Sequence, residues 1–210
     1  MSQAPSAPRA PYRHPLGLPA GSIRALLSFL ILGMFWLILV VPEQPDKQPV
    51  HVPPALYCLL GLVLHFFGSH GQSIGGAPGQ PHPWHLPRGS IRFIMVLGTL
   101  AVVGYEYTVS PDRMLERLTP SADKLKEWPY LVGALGGGFC FGLFLRLGPW
   151  KRLPAYQDLL AWISLAAILL LVIYFVVHIV INPSISVPID ALTLECILVG
   201  VVSCYFGARS

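Results

Sequence analysis

The sequence predicts an all-α integral membrane protein with six transmembrane helices, arranged as three tandem, parallel helical-hairpin repeats. The first observation behind this prediction is composition. Charged residues make up 11% of the 210 residues, apolar residues make up 54%, and the mean hydropathy is +0.62. Ordinary soluble domains contain roughly 25% charged residues. This chain has too little polar surface to coat a water-soluble globule.

The second observation is the distribution of the apolar residues. A helix needs about 20 apolar residues to cross a bilayer, and fewer where the bilayer thins locally. Six apolar segments meet this requirement. The first and third begin with a serine that follows a glycine, and the second and fourth begin near a proline. The fifth is long and nearly uncharged, and the sixth contains Glu195. The predicted spans are 22–41, 54–68, 90–107, 129–147, 155–181 and 189–206.

The charges in the short loops alternate, which predicts the orientation. Loops rich in Lys and Arg stay on the cytoplasmic side of a membrane. Nine basic residues and one acidic residue, Asp158, lie in the N-terminal segment, the second and fourth loops and the C-terminus. The other loops hold five basic and eight acidic residues. We therefore expect both termini to be cytoplasmic, in a membrane of the bacterial inner (plasma) type. The first span, without a cleavage site, should remain as an anchor.

A repeated heptapeptide predicts the hairpin organisation. The sequence LPAGSIR at 18–24 recurs as LPRGSIR at 86–92, and a weaker copy begins at 153. Each copy opens an odd-numbered span, so successive hairpins enter the membrane in the same direction. The expected units are a flexible Pro/Ala-rich tail at 1–17 and hairpins at 18–85, 86–152 and 153–210. A ring and a row of hairpins are both compatible with the repeat.

The same heptapeptide suggests sites for lipid phosphate. Ser22 and Ser90 would cap helices at the cytoplasmic surface, where unpaired N–H groups carry partial positive charge. Arg24 and Arg92 would lie in the first turns of these two helices, where a cation opposes the helix dipole. An anion bound at each helix start would remove this conflict. The alternative is that the two arginines only reach the interface and fix the topology.

Few ionisable residues lie inside the predicted spans, and such residues are functional candidates. His178 and Glu195 should lie at similar depth near the outer surface, on two spans of one hairpin, and Glu106 should lie at the same level. They form a candidate ion or proton site. The alternative is one buried hydrogen bond that fixes the helix register.

Small residues in the fourth span predict close helix packing. Gly133, Gly137, Gly138 and Gly142 form overlapping patterns with small residues four positions apart. Glycine allows two helix backbones to approach closely. This face should therefore meet another helix, within the chain or in a neighbouring subunit.

No motif for a nucleophile, a metal or a phosphate-binding loop is found in the sequence. His82 and His85 flank a proline and lack a nearby acidic or thiolate ligand, so no metal and no cofactor are predicted. The scattered basic residues do not predict nucleic-acid binding. The expected protein is a non-catalytic membrane subunit whose partners are anionic lipid and either itself or other membrane subunits. The alternative is a small channel or a proton- or cation-coupled transporter that uses His178 and Glu195.

Overall fold

The computed structural model describes residues 22–41, 51–69, 90–120, 122–148, 154–182 and 191–209, and every element within these ranges is helical. A 3-10 turn at Ala122–Glu127 precedes α5, and α6 continues as a π-helical turn at Val176–Ile181. The α-helices are α1 (Ser22–Val40), α2 (Pro54–Ser69), α3 (Ser90–Val109), α4 (Pro111–Leu118), α5 (Trp128–Leu147), α6 (Pro154–Phe175) and α7 (Leu192–Arg209).

Four of the helical segments are long and apolar enough to cross a membrane: Ser22–Val40, Ser90–Val109, Lys124–Leu147 and Asp158–Ile181. The predicted helical class is therefore confirmed, and the structure is consistent with membrane localisation. Two shorter apolar helices cover Pro54–His65 and Leu192–Ala208. Of the residues in each span, 50% are buried in α1 but only 11% in α3, so α1 is much more enclosed than α3.

Side-chain contacts show that the long helices alternate in direction. Tyr57 stacks on Trp128 near the starts of α2 and α5. His65, eight residues further along α2, meets Phe139, eleven residues further along α5, so α2 and α5 run parallel. Helix α7 also runs parallel to α5, because Gly138 and Gly142 of α5 lie against Gly200 and Cys204 of α7 in the same order. The starts of α2, α5 and α7 thus lie at one end of the bundle, which we call the α4 end.

Helices α1 and α3 run in the opposite direction to these three, because Arg117 of α4 bonds to the end of α1 and α4 directly follows the end of α3. The two helices pack on each other through an aromatic side chain. The indole Nε1–H of Trp36 donates to Thr99 Oγ1 over 3.1 Å. A Cβ atom placed on Gly98 would lie 2.7 Å from Trp36 Cη2, so the absence of a side chain at Gly98 leaves room for the indole. Trp36 therefore packs between helices.

The bundle is organised around α1 and α7. Helix α1 contacts α2, α3 and α6, whereas α7 contacts α2, α5 and α6. Helix α3 packs mainly on α1 and α5 packs mainly on α7, so the two helices of the predicted second hairpin have different main partners. The core between the central helices is formed by large apolar side chains, including Leu27, Ile31, Leu59, Leu171 and Val199.

Helix α4 was not predicted from the sequence, and it closes one end of the bundle. Its last turn carries Arg117, whose side chain is almost fully buried. The guanidinium donates from Nη1 to the carbonyl oxygens of Ile38 and Leu39 over 2.6 and 2.7 Å, and from Nη2 to that of Val41 over 2.7 Å. Carbonyls at a helix C-terminus lack partners within their helix, and a cation there complements the helix dipole.

The chain before α2 joins the same junction. The backbone N–H of Val52 donates to the carbonyl of Arg117 over 2.9 Å, and the Tyr57 hydroxyl donates to the carbonyl of Leu118. One short helix therefore ties the end of α1 to the start of α2. The sequence indicated this segment only as a charged loop, because eight residues are too few to show a reliable helical period.

Candidate functional site

A buried polar cluster lies at the α4 end, where α6 meets α7. The hydroxyl of Tyr174 donates to Glu195 Oε1 over 3.0 Å, and both side chains are buried, with 0% and 3% exposure. The imidazole of His178 stacks on the Tyr174 ring, with 5.4 Å between ring centroids and 26° between planes. We call these three residues the Tyr174 cluster.

The π-helical turn supplies the local geometry of His178. In this turn the backbone N–H of Asn182 bonds to the carbonyl of Val177, five residues earlier, instead of four. The wider turn changes which side chains lie above one another, and such turns occur frequently at functional sites. Here it carries the imidazole one turn beyond Tyr174 with the two rings stacked.

The start of α5 and the 3-10 turn before it carry a second group of polar and aromatic side chains at the α4 end. Lys124 Nζ bonds to Glu127 Oε1 over 2.6 Å, and Trp128 stacks on Tyr57 with 6.3 Å between centroids. Lys124 lies within electrostatic range of His178, and Glu127 within range of Tyr174. These interactions bring the 3-10 turn before α5 into the electrostatic surroundings of the Tyr174 cluster.

Of the three residues in the predicted ion or proton site, the structure brings two together. His178 and Glu195 both contact Tyr174, which lies between them as the hydroxyl donor and the stacking partner. Glu106 is engaged elsewhere: its Oε2 forms an ion pair with Arg113 Nη2 over 2.6 Å. The sequence analysis missed Tyr174. The signal available was its position four residues before His178, which places both on one helix face.

The hydrogen bond between Tyr174 and Glu195 should contribute measurably to stability. We expect Tyr174→Phe to lower the free energy of unfolding by about 0.5–1.5 kcal/mol, the usual net contribution of one hydrogen bond. Reversible unfolding in mixed detergent micelles measures the loss. Tyr130→Phe is the control, since Tyr130 is 66% exposed. Equal stability of the two variants would show that the Tyr174 hydroxyl has no structural role.

The predicted lipid-phosphate residues lie at the opposite end of the bundle. Ser22 and Ser90 are the first residues of α1 and α3, and Arg24 and Arg92 follow in the first turns, both partly buried. The Oγ of Ser22 is buried and has no hydrogen-bond partner in the described part of the chain. The preceding halves of the motif, 18–21 and 86–89, lie outside the described residues, as do His82, His85 and the predicted tail.

The predicted packing glycines divide into two groups. A Cβ on Gly138 would collide with the carbonyl oxygen of Gly200, and one on Gly142 with that of Cys204, so these two glycines lie directly against the α7 backbone. Around Gly133 and Gly137 there is open space. A third glycine that the prediction did not include, Gly207 on α7, meets the carbonyl of Phe139 in the same way.

No match is found for this chain among protein-family models, curated proteins or solved structures.

Proposed function

We propose that this protein is a non-catalytic subunit of a membrane assembly, formed with itself or with other membrane proteins, and that it holds anionic lipid. In this proposal α2 and α7 also cross the bilayer, which gives six spans in three hairpins. The α4 end faces outward and both termini are cytoplasmic, in a bacterial-type inner membrane. The alternating helix directions and the alternating loop charges support this topology.

The main support for a non-conducting role is the distribution of buried charge. Among the described residues, the buried charged side chains are Glu106, Arg117 and Glu195, and all three lie at the α4 end. An ion or proton path would need polar groups along its whole length, because an isolated charge in hydrocarbon is costly. Below that end the core consists of apolar side chains with occasional serines.

Two of the four buried serines among the described residues, Ser164 and Ser203, do not supply such a path. Ser164 Oγ donates to the carbonyl of Ala161, and Ser203 Oγ to that of Gly200, each within its own helix. A hydroxyl bonded to its own backbone leaves little capacity for a permeating ion. This supports a packed bundle whose function lies in lateral contacts.

The lipid part of the proposal depends on the starts of α1 and α3. We expect Arg24→Ala to reduce the retention of phosphatidylglycerol about fivefold and Arg24→Ala with Arg92→Ala about 30-fold, since each basic residue near an anionic lipid contributes about 1 kcal/mol. Native mass spectrometry from mild detergent measures the retained lipid, the subunit number and any partner. Lys126→Ala, which removes one exposed charge at the α4 end, is the control.

Unchanged retention in the double variant would contradict the lipid sites, and a monomer without partners would contradict the assembly role. The second candidate function is a channel or transporter, favoured by the buried contact between Tyr174 and Glu195. Proton or cation flux into proteoliposomes that is lost in Glu195→Gln would replace the assembly role with transport.

A further inference from the structure

Two of the four cysteines lie on contacting helices near the α4 end. Cys58 is the fifth residue of α2, Cys196 is the fifth residue of α7, and both thiols are free. Helices α2 and α7 contact each other and run parallel, with both starts at the α4 end. Each of the two contacting helices therefore carries a thiol just inside that end.

Contacts through α5 relate the levels of α2 and α7 along the bundle. The ring of Phe139 on α5 meets His65 of α2, and the carbonyl of Phe139 lies against Gly207 of α7. The preceding residue of α5, Gly138, lies against Gly200 of α7. His65 is therefore level with the stretch 200–207 of α7.

The same relation places the two cysteines at one level. Cys58 lies seven residues before His65, which is about two helical turns nearer the α4 end. Seven residues before the stretch 200–207 is the stretch 193–200, which contains Cys196. Cys58 is buried in the apolar core, and the partly exposed Cys196 packs against the same core. The Cys58 thiol also lies within electrostatic range of the Cys196 thiol.

We propose that Cys58 and Cys196 form a reversible dithiol–disulfide pair that links α2 to α7, with an external disulfide as the oxidant. The Cys196 thiolate, which is the more accessible, attacks one sulfur of that disulfide and displaces a first thiol. The Cys58 thiolate then attacks Cys196 Sγ in the mixed disulfide and displaces the second thiol. Two protein thiols are oxidised to one disulfide, one external disulfide is reduced to two thiols, and these thiols take up the two protons.

This pair is independent of the proposed assembly role and of the lipid residues. Disulfides persist in oxidising compartments outside the cytosol. With the α4 end outward, as in the proposed topology, the oxidised form is the one expected in the cell. The chemistry of the purified protein does not depend on that direction.

Dipyridyl disulfide, a small uncharged disulfide, tests the pair in protein held in lipid nanodiscs. The variant that combines Cys140→Ser with Cys204→Ser retains only Cys58 and Cys196. We expect each molecule of this variant to consume one reagent molecule and release two thiopyridones. Its intact mass should then show no thiopyridyl adduct and, after denaturation, no uptake of N-ethylmaleimide. Dithiothreitol should restore two alkylation sites.

Cys140 and Cys204 form the matched control pair, because they also lie near one level on contacting parallel helices. Cys140 lies midway in sequence between Gly138 and Gly142, which both face α7, so it lies on the opposite side of α5 and is exposed. The variant that combines Cys58→Ser with Cys196→Ser should therefore retain a thiopyridyl adduct on Cys140 and form no disulfide.

The proposal would be overturned by adducts on both Cys58 and Cys196 without a bond between them, by a disulfide between two protein molecules on a non-reducing gel, or by equal disulfide formation in the control pair. Cys58→Ser should trap the adduct on Cys196, and faster trapping at Cys58 in Cys196→Ser would overturn the order of attack. If a variant does not fold, peptide mapping of oxidised wild-type protein identifies the linked cysteines, and a map without a Cys58–Cys196 link would also overturn the pair.

Discussion

Replacing Arg117 with methionine is expected to lower the free energy of unfolding by about 3–5 kcal/mol, because three carbonyl oxygens each lose a hydrogen bond to a charged donor. The guanidinium donates to three carbonyl oxygens at the end of α1, and in the variant these oxygens remain buried without that donor. Methionine keeps much of the side-chain length, so the loss reports mainly on hydrogen bonding. Unfolding in mixed micelles, followed by circular dichroism, measures it.

The control for this prediction is another arginine in the last turn of a helix. Arg146 occupies that position in α5 and is exposed. We expect Arg146→Ala to change the free energy of unfolding by less than about 0.5 kcal/mol, as is usual for surface positions. Arg117→Lys should lie between the two variants, because an ammonium keeps the charge but lacks the planar fork of donors. Wild-type stability in Arg117→Met would refute the role of Arg117 as a junction residue.

Arg117 also shows which part of this fold could not be predicted from the sequence. The count of loop charges used Arg117 as one of five basic residues in the acidic loops, and topology rules treat such a residue as solvent-facing. Its burial depends on α4 lying across the end of α1, a tertiary contact between residues almost 80 positions apart. By contrast, the starts of α1, α2 and α3 at Ser22, Pro54 and Ser90 agree with the prediction, because they depend on local turn and apolar patterns.

The candidate site was also predicted only in part from the sequence. The rarity of ionisable residues in apolar segments identified His178 and Glu195, and this rule needs no tertiary information. Tyr174 was not identified because tyrosine is ordinary in a membrane helix. Only the packing of α6 against α7 makes its hydroxyl the donor to Glu195. Glu106 was grouped with the site by depth alone, and depth does not distinguish one side of a bundle from the other.

Gly138→Ala is expected to lower the free energy of unfolding by about 1–3 kcal/mol, the usual cost of overpacking a core. The added Cβ would collide with the carbonyl oxygen of Gly200 and with Ser203 Oγ, so the two helix backbones must move apart. This contact belongs to the most extensive helix pair in the bundle, α5 with α7. The same unfolding assay measures the loss.

The preceding residue supplies a matched control. Gly137 also lies within α5, but open space surrounds the position of its Cβ. Gly137→Ala should leave stability unchanged or raise it by up to about 1 kcal/mol, because alanine favours helix more than glycine does. The same substitution at adjacent positions thus separates packing from helix propensity. Equal effects would mean that α5 does not approach α7 through Gly138. A loss only in Gly137→Ala would place the close helix contact on the opposite face of α5, towards a neighbouring subunit.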